Sequence, residues 1–380
     1  MEPIRILQVF TIMNRGGAES MIMNYYRQMD RSKIQFDFLV HRKEKAAFDE
    51  EIERLGGKIY RFEAINPLFP KRYYNQLRFF FKEHSEYAII HSHLNTFSCF
   101  PLKIAKEFNI PCRIAHAHIA IDQVTLSSFL FQQESFKETI KKLIKLQLKK
   151  KIKNDATHFF SCGEKAGKWL FGDQTNFTIV NNAINAYQFK FDELVRINYK
   201  KELGLENKLV IGHVGRFNRQ KNHAFLLEIF SNLVKKKPNS ILVLIGDGSL
   251  KKQIQDDAKK LNIEEKILLL GIRTDIPQLY QMFDFFVFPS FYEGLPVTLI
   301  EAQAAGLKIL ASESITKEVS ITDDIEFLSI NDTPNKWVDK ILEKIPYTRK
   351  DNFDLIKKNG YDIYINTTLL ENFYLKQTII

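Results

Sequence analysis

Phe291-Tyr-Glu-Gly-Leu-Pro-Val-Thr-Leu-Ile-Glu301 follows the apolar run Phe283-Asp-Phe-Phe-Val-Phe-Pro289 and leads into an Ala-rich segment that stops at Gly306. The apolar run predicts a buried parallel strand, and the segment after it predicts a helix. Pro296 suits the first helical turn, where its missing N–H costs nothing. Strand, Gly-containing loop and helix N-terminus in succession aim free backbone N–H groups and a positive dipole end at one point, which suits a phosphate or diphosphate. Glu293 stands just before this helix and Glu301 inside it. A helical span between them covers roughly 12 Å, the scale of a ligand with a sugar at one end, a ribose at the other and phosphates between. Each carboxylate oxygen accepts two hydrogen bonds, so carboxylates suit hydroxyls and would repel a phosphate they touched. The pattern predicts hydroxyl recognition at both ends and phosphate in the middle. An acidic turn also complements a helix dipole with no ligand at all, and this stretch alone leaves both readings open.

Working outward, the chain of 380 residues has room for two domains. Strands are expected at Ile4–Ile12, Gln35–Val40, Lys58–Phe62, Tyr87–His91, Arg113–His118, His158–Ser161 and Phe177–Val180, with amphipathic helices between them. A second cycle begins at Lys208–Gly215 and continues at Ser240–Ile245, Lys266–Leu270, Phe285–Phe288 and Lys308–Ala311. Alternation of this kind predicts α/β architecture: two Rossmann-like parallel-sheet domains in tandem. The boundaries are placed at 1–188 and 189–360, with a last helix near 361–380 crossing back onto the first domain. Ligands of open parallel sheets bind beyond the carboxyl ends of the strands, so two such domains facing a central cleft would line it with loops from both. A hydrophobic content of 45% with 26% charged residues is that of a soluble globular protein. No apolar run reaches transmembrane length, and the N-terminus reads as a first strand without a signal peptide's basic region. Cys99, Cys112 and Cys162 are far apart and form no Cys-x-x-Cys pair, which fits a reducing compartment. A net charge of +10 favours anionic partners.

Three further constellations carry chemistry. Gly215-Arg-Phe-Asn-Arg-Gln-Lys221 puts Arg216 and Lys221 beside a strand end, where Arg can grip a phosphate in bidentate fashion and Lys acts as a point charge. Taken alone these are surface charges, but beside Glu293 and Glu301 in one domain they become phosphate ligands. Gly16-Gly17 after the first strand lets backbone approach a ligand or simply makes a tight turn; Ile245-Gly-Asp-Gly248 is read as a structural turn. His91, His93, His116 and His118 fall at two strand ends. Alternate residues share one face, and no carboxylate at close spacing supports a metal site. The preferred reading is His118, the last before a Gly-free loop, as a neutral or proton-sharing group beside a reacting sugar. The basic stretch 136–153, with apolar Leu143, Ile144, Leu146 and Leu148, is either a solvated face on a packing helix or a dock for anionic lipid. No recognition motif accompanies the charge, so nucleic acid is not expected.

Together these pieces resemble the family 4 glycosyltransferases of the GT-B fold, in their bacterial exopolysaccharide and capsule branch. The resemblance is carried by Gly16-Gly-Ala-Glu19, Ile114-Ala-His-Ala-His118, Val180-Asn-Asn-Ala-Ile-Asn185, Gly215-Arg-Phe-Asn-Arg-Gln-Lys-Asn222 and Pro289-Ser-Phe-Tyr-Glu-Gly-Leu-Pro-Val-Thr-Leu-Ile-Glu-Ala302, in the family's order over nearly the whole chain. It implies a retaining, metal-independent hexosyl- or N-acetylhexosaminyl-transferase with no cofactor, using a nucleotide-sugar donor (UDP by family weight) and a glycan or lipid-linked saccharide acceptor. Arg216 and Lys221 would hold the donor diphosphate, Glu293 the sugar hydroxyls, and Glu301 the ribose. Backbone N–H groups of Gly294 and Leu295 would lie near sugar or phosphate. Gly16 and Gly17 would line the diphosphate from the other domain, and His118 would stand by the reacting sugar. The expected location is cytoplasmic, including the inner face of the plasma membrane through 136–153. Asn181-Asn-Ala-Ile-Asn185 has Ala and Asn where the family commonly has Gly and Asp, a departure at the hinge. No Asp-x-Asp occurs in the chain. The rival readings are a nucleotide-sugar 2-epimerase of the same fold and a non-catalytic nucleotide-binding scaffold.

Overall fold

The computed structural model describes residues 2–119 and 136–378, with side chains left aside over 136–143. Segment 120–135, read from sequence as the Gly-free loop after His118, therefore lies outside the described residues. The chain divides into two compact units, Met1–Ala183 with Ile363–Ile380, and Ile184–Asp362. The division falls at 183/184 and 362/363 rather than at the expected 188/189 and 360/361. The short helix Ala186–Phe189 is tied to the second unit, because the buried Gln281 amide donates to the Phe189 carbonyl at 3.1 Å and the Phe189 ring packs edge-on to Tyr280.

The first unit holds strands β1 (Ile4–Phe10), β2 (Ile34–Val40), β3 (Ile59–Arg61), β4 (Ile89–Ser92), β5 (Cys112–Ala117), β6 (His158–Ser161) and β7 (Thr178–Ile179). They pair in parallel in the order β3-β2-β1-β4-β5-β6-β7. Such a sheet is covered on both faces, so its strands are apolar almost throughout. Every residue of β2, Ile-Gln-Phe-Asp-Phe-Leu-Val, is buried. Of its two polar residues, Gln35 and Asp37, the charged one accepts from Arg5 Nε at 2.6 Å, from the Tyr87 hydroxyl at 2.7 Å and from the Lys58 N–H at 2.7 Å, which offsets its lost hydration. The last helix, Ile363–Lys376, belongs to this unit. Its Phe373 ring packs on His158 and Phe160, its Tyr374 is fully buried against Phe36, and Glu371 accepts the Asp30 N–H at 2.6 Å.

The second unit holds β8 (Leu209–Val214), β9 (Ser240–Ile245), β10 (Ile267–Gly271), β11 (Phe285–Phe288), β12 (Ile309–Ser312) and β13 (Ile325–Leu328), all parallel, in the order β10-β9-β8-β11-β12-β13. The apolar run begins at Phe283, but β11 begins at Phe285: the Asp284 carboxylate turns aside to accept the Val210 N–H at 2.7 Å and pairs with Lys200 and Arg196. Strand β13 was not anticipated. Its four residues follow Asp323-Asp324 and include Glu326, so its apolar signal is short. Tertiary pairing creates it, with the Ile309 N–H bonded to the Asp324 carbonyl at 2.8 Å and Lys308 paired to the Asp324 carboxylate at 2.6 Å. Among the described residues no helix is long and apolar enough to cross a membrane.

Candidate active site

Both sheets reverse their strand order once, between β1 and β4 and between β8 and β11. Loops beyond the carboxyl ends of strands at such a reversal are where open α/β sheets bind ligands; Gly16, Gly17, Gly215, Arg216 and Glu293 lie beyond strands that flank the reversals, Glu301 in the helix that follows β11, and His118 beyond β5, one strand further on.

In the second unit, Gly215 and Arg216 follow β8, and Glu293-Gly294-Leu295 follow β11. The two loops are fastened together. The Phe291 N–H donates to the Gln220 carbonyl at 2.9 Å, and the Gln220 amide donates to the Tyr292 carbonyl and to Glu293 Oε2, each at 2.9 Å. Lys221 Nζ meets Glu293 Oε1 at 2.8 Å and lies 4.3 Å over the Phe288 ring. Side-chain exposures of 12% and 9% put this pair in a dielectric far below that of water. There attraction is strong, but each charge has lost its hydration and depends on the other. Asn218 accepts the Lys221 N–H, and Asn222 takes a left-handed φ of 54°, so the short turn carrying Lys221 is defined at both ends. Arg216 is exposed on the same loop.

Glycine is required beneath this loop. Gly246 has φ +141°, and a Cβ there would stand 2.0 Å from the Gly215 carbonyl oxygen. The turn after β9, read from sequence as structural, is the floor on which the Arg216 loop rests. Gly246→Ala is expected to cost roughly 2–3 kcal/mol, about 5–10 °C of melting temperature for a unit of this size. Calorimetry showing an unchanged transition would remove this reading of the turn.

Pro296 was expected within the first helical turn. It stands one residue ahead, with ψ 111°, and its carbonyl accepts the Leu299 N–H at 3.1 Å; the helix runs Val297–Ala304. Leu295 is buried and anchors the entry. Glu301 lies in the second turn, where its Oε2 accepts from the Tyr280 hydroxyl at 3.1 Å. Burial pushes the Glu301 carboxyl up to about 7, with the Tyr280 hydrogen bond pulling the other way.

In the first unit, Gly16 is the N-cap of helix Gly17–Gln28; a Cβ on Gly16 would meet the Glu19 carboxylate at 2.2 Å, and one on Gly17 would meet nothing within 4 Å. His118 is the first residue beyond β5, and the Asn95 side chain accepts its N–H at 2.8 Å. The four histidines form one stack. His91 and His93 lie 4.2 Å apart by ring centroid, His116 and His118 also 4.2 Å, and His91 and His116 are nearly parallel at 8°. Burial pushes all four imidazoles down, His118 to about 3, so they are neutral at ordinary pH. His91, His93 and His116 each bring a nitrogen within 4.8 Å of the others. A metal–imidazole bond needs the ion close to each ring plane at about 2.0–2.1 Å. Stacked rings direct their lone pairs in nearly parallel planes, and all of these nitrogens but His116 Nε2 are engaged with each other, with His118, with Gln8 or with Tyr374.

Helix Phe136–Asp155 carries the basic stretch. Leu148 and Ile152 are buried, Leu146 is 39% exposed, and Lys149 Nζ lies 5.2 Å over the Trp169 ring. The C-terminal half of this helix is thus a packing face with lysines at its margin; the side chains of Lys141, Lys142 and Leu143 lie outside the described residues. Cys99, Cys112 and Cys162 are buried thiols, none of them in a disulfide. Sequence reasoning passed over Gln220, Tyr280, Gln8 and Tyr374, whose residue types and spacing carry no signal until the chain is folded.

Two parallel α/β sheets with these residues at their points of reversal define the GT-B class of glycosyltransferase. Residues 195–348 match the family described as glycosyl transferases group 1. EpsF of Bacillus subtilis, whose name assigns it to the glycosyltransferases, is 35% identical over 379 residues, covering 97% of this chain and 96% of its own. The Escherichia coli UDP-Gal:α-D-GlcNAc-diphosphoundecaprenol α-1,3-galactosyltransferase is 26% identical over 309 residues, 77% of this chain and 76% of its own. Among solved structures, Anabaena HepE in complex with UDP and glucose superimposes with a TM-score of 0.79 at 15% identity, covering 98% of this chain and 100% of that one, a likeness of fold. The chain belongs to the group 1 glycosyltransferases.

Proposed function

We propose that this glycosyltransferase moves a hexosyl or N-acetylhexosaminyl group from a UDP-sugar to a lipid-linked saccharide in cell-surface polysaccharide assembly, with retention at the anomeric carbon and without a metal ion. The observation that carries the donor site is the Lys221–Glu293 pair, fastened by Gln220 where β8 and β11 diverge. It sets a cation and a carboxylate side by side, as needed where diphosphate meets sugar hydroxyl. Lys221, Arg216 and the backbone N–H groups of Gly294 and Leu295 hold the diphosphate, Glu293 the sugar hydroxyls, and Glu301 the ribose. The acceptor oxygen bonds to the anomeric carbon on the face the leaving group vacates. The carbon–phosphate oxygen bond breaks, and the acceptor's proton passes to the departing phosphate. Fixed charge aimed at that phosphate supplies the main stabilisation. The E. coli relative's UDP-sugar donor and diphosphoundecaprenol-linked acceptor support the choice of substrates.

The test is transfer from UDP-hexoses to a diphosphoundecaprenol-linked saccharide in excess EDTA, with the product anomer read from its proton coupling. A product of inverted configuration refutes the mechanism, and activity that returns only with added Mg²⁺ or Mn²⁺ refutes metal independence. Helix Phe136–Asp155 is the proposed contact with the inner membrane face. Replacing Lys141, Lys142, Lys145 and Lys149 by glutamine is expected to abolish flotation with phosphatidylglycerol-containing vesicles at low salt, since each lysine near an anionic surface contributes about 1 kcal/mol. Unchanged flotation would exclude this helix as the contact.

A further inference from the structure

The histidine stack of the first unit has a direction. Tyr374, on the last helix, is 2.7 Å from His91 Nδ1 and 3.4 Å from the Gln8 amide nitrogen. A phenol is a better donor to an imidazole nitrogen than to an amide oxygen, and burial keeps this phenol protonated. The Tyr374 hydroxyl therefore donates to His91 and accepts from Gln8 Nε2. That turns Gln8 Oε1 toward His93 Nε2, at 2.9 Å. An amide oxygen only accepts, so His93 carries its proton on Nε2. Its Nδ1 then accepts from His118 Nε2, at 2.8 Å. In the parallel chain His91 Nε2 donates to His116 Nδ1 at 3.0 Å, and the buried His116 Nε2 ends without a partner among the described residues. Of the four rings, His118 keeps the largest exposed share, 7%, and Nδ1 is its one nitrogen uncommitted among the described side chains.

We propose that Gln8 and His93 are positioning residues for sugar transfer: they hold His118 as its Nε2–H tautomer, so that it offers a lone-pair Nδ1 to accept a hydrogen bond from a sugar hydroxyl. This rests on the sugar transfer proposed above and on the place beside the reacting sugar that the family resemblance implies for His118. Gln8 lies on β1, opposite His91 in register, and His93 just beyond β4. The relay therefore runs across the strand reversal and ends at the carboxyl edge of β5. The other tautomer would present an N–H at the same place and reject a hydroxyl that must donate.

The experiment uses the full chain with ¹⁵N-labelled histidine, reading ring nitrogens against ring protons, with His118 assigned by its loss in His118→Gln. The expected wild-type pattern is a protonated Nε2 and a bare Nδ1 on His118. Gln8→Met, which keeps shape but removes the acceptor, should mix the two tautomers, and Gln8→Glu should retain the wild-type one. Release of UDP from UDP-glucose and UDP-N-acetylglucosamine is measured alongside. Gln8→Met should lower kcat about tenfold, the worth of one hydrogen bond, with KM for the donor held, and Gln8→Glu should recover most of it. A wild-type His118 protonated on Nδ1, with normal turnover, overturns the positioning role alone, as does a Gln8→Met protein whose His118 spectrum is unchanged. Wild-type protein that turns over neither sugar nucleotide, with the expected spectrum, overturns the functional reading and the substrate-facing half of the proposal with it.

Discussion

Lys221→Ala is expected to lower the rate of sugar transfer by roughly 10²–10³-fold, the usual effect of deleting one preorganised charge aimed at a leaving group. A loss of stability should accompany it. Glu293 would keep only the Gln220 hydrogen bond in a site where its side chain is 9% exposed, and breaking a buried pair from one side costs about 3 kcal/mol. At the size of this unit that is roughly 6–12 °C of melting temperature. The double variant Lys221→Ala/Glu293→Ala removes the stranded carboxylate as well. It should regain part of that stability and none of the activity, with a coupling of about 1 kcal/mol in the double-mutant cycle. A double variant whose loss of stability equals the sum of the losses in Lys221→Ala and Glu293→Ala alone would mean that the pair is not coupled. A single variant with near-normal transfer would take Lys221 out of the catalytic machinery. Lys221→Met keeps the stem over the Phe288 ring and should lose activity to the same degree, separating charge from packing.

Glu301→Ala is expected to abolish stabilisation by nucleotide. A ligand at a hundred times its dissociation constant adds about 2.7 kcal/mol to the wild type, or roughly 5–11 °C, and the variant should show none of it with UDP. The position of the Glu301 carboxyl sharpens this. Burial raises it from the ordinary 4.5 to about 7, so between those values the folded chain holds a proton that the unfolded chain has released. Stability from this group is therefore full below 4.5 and is lost as pH rises through about 7. Glu301→Gln should consequently stabilise the ligand-free protein at pH ~8 and leave it unchanged at pH ~4. Nucleotide binding runs the opposite way, because ribose hydroxyls donate best to the ionised carboxylate: UDP affinity should rise with pH through about 7 and be flat in Glu301→Gln. Tyr280→Phe removes the hydrogen bond that favours the carboxylate, so it should move the midpoint upward. Identical pH profiles for wild type and Glu301→Gln would remove Glu301 from the ribose site.

Much of the fold was legible because a parallel sheet covered on both faces writes its strands as continuous apolar runs. His158–Ser161, Ser240–Ile245 and Phe285–Phe288 stand in the structure where the sequence places them. β13 escaped because an edge strand of four residues is made by its neighbour β12 rather than by its own pattern. Within the apolar run from Phe283 the strand begins at Phe285, because the Asp284 carboxylate is taken up by Val210, Arg196 and Lys200, partners visible only once those residues are adjacent.

For the site, the sequence by itself determined which residue types stand at the strand ends. Glu293, Glu301, Arg216 and Lys221 can be named from it, since spacing within one loop and one helix is a local property. Only the tertiary structure decided how they are joined. Lys221 and Glu293 become an ion pair, and Gln220 becomes the clamp between two loops. Tyr280 becomes the partner that tunes Glu301, and four histidines from two strands become one directed stack ending on Gln8 and Tyr374. The physical reason is that a hydrogen bond or ion pair depends on distances of about 3 Å. Between residues as far apart in the chain as Gln8 and Tyr374, that distance is set by packing, which no local pattern of residues encodes.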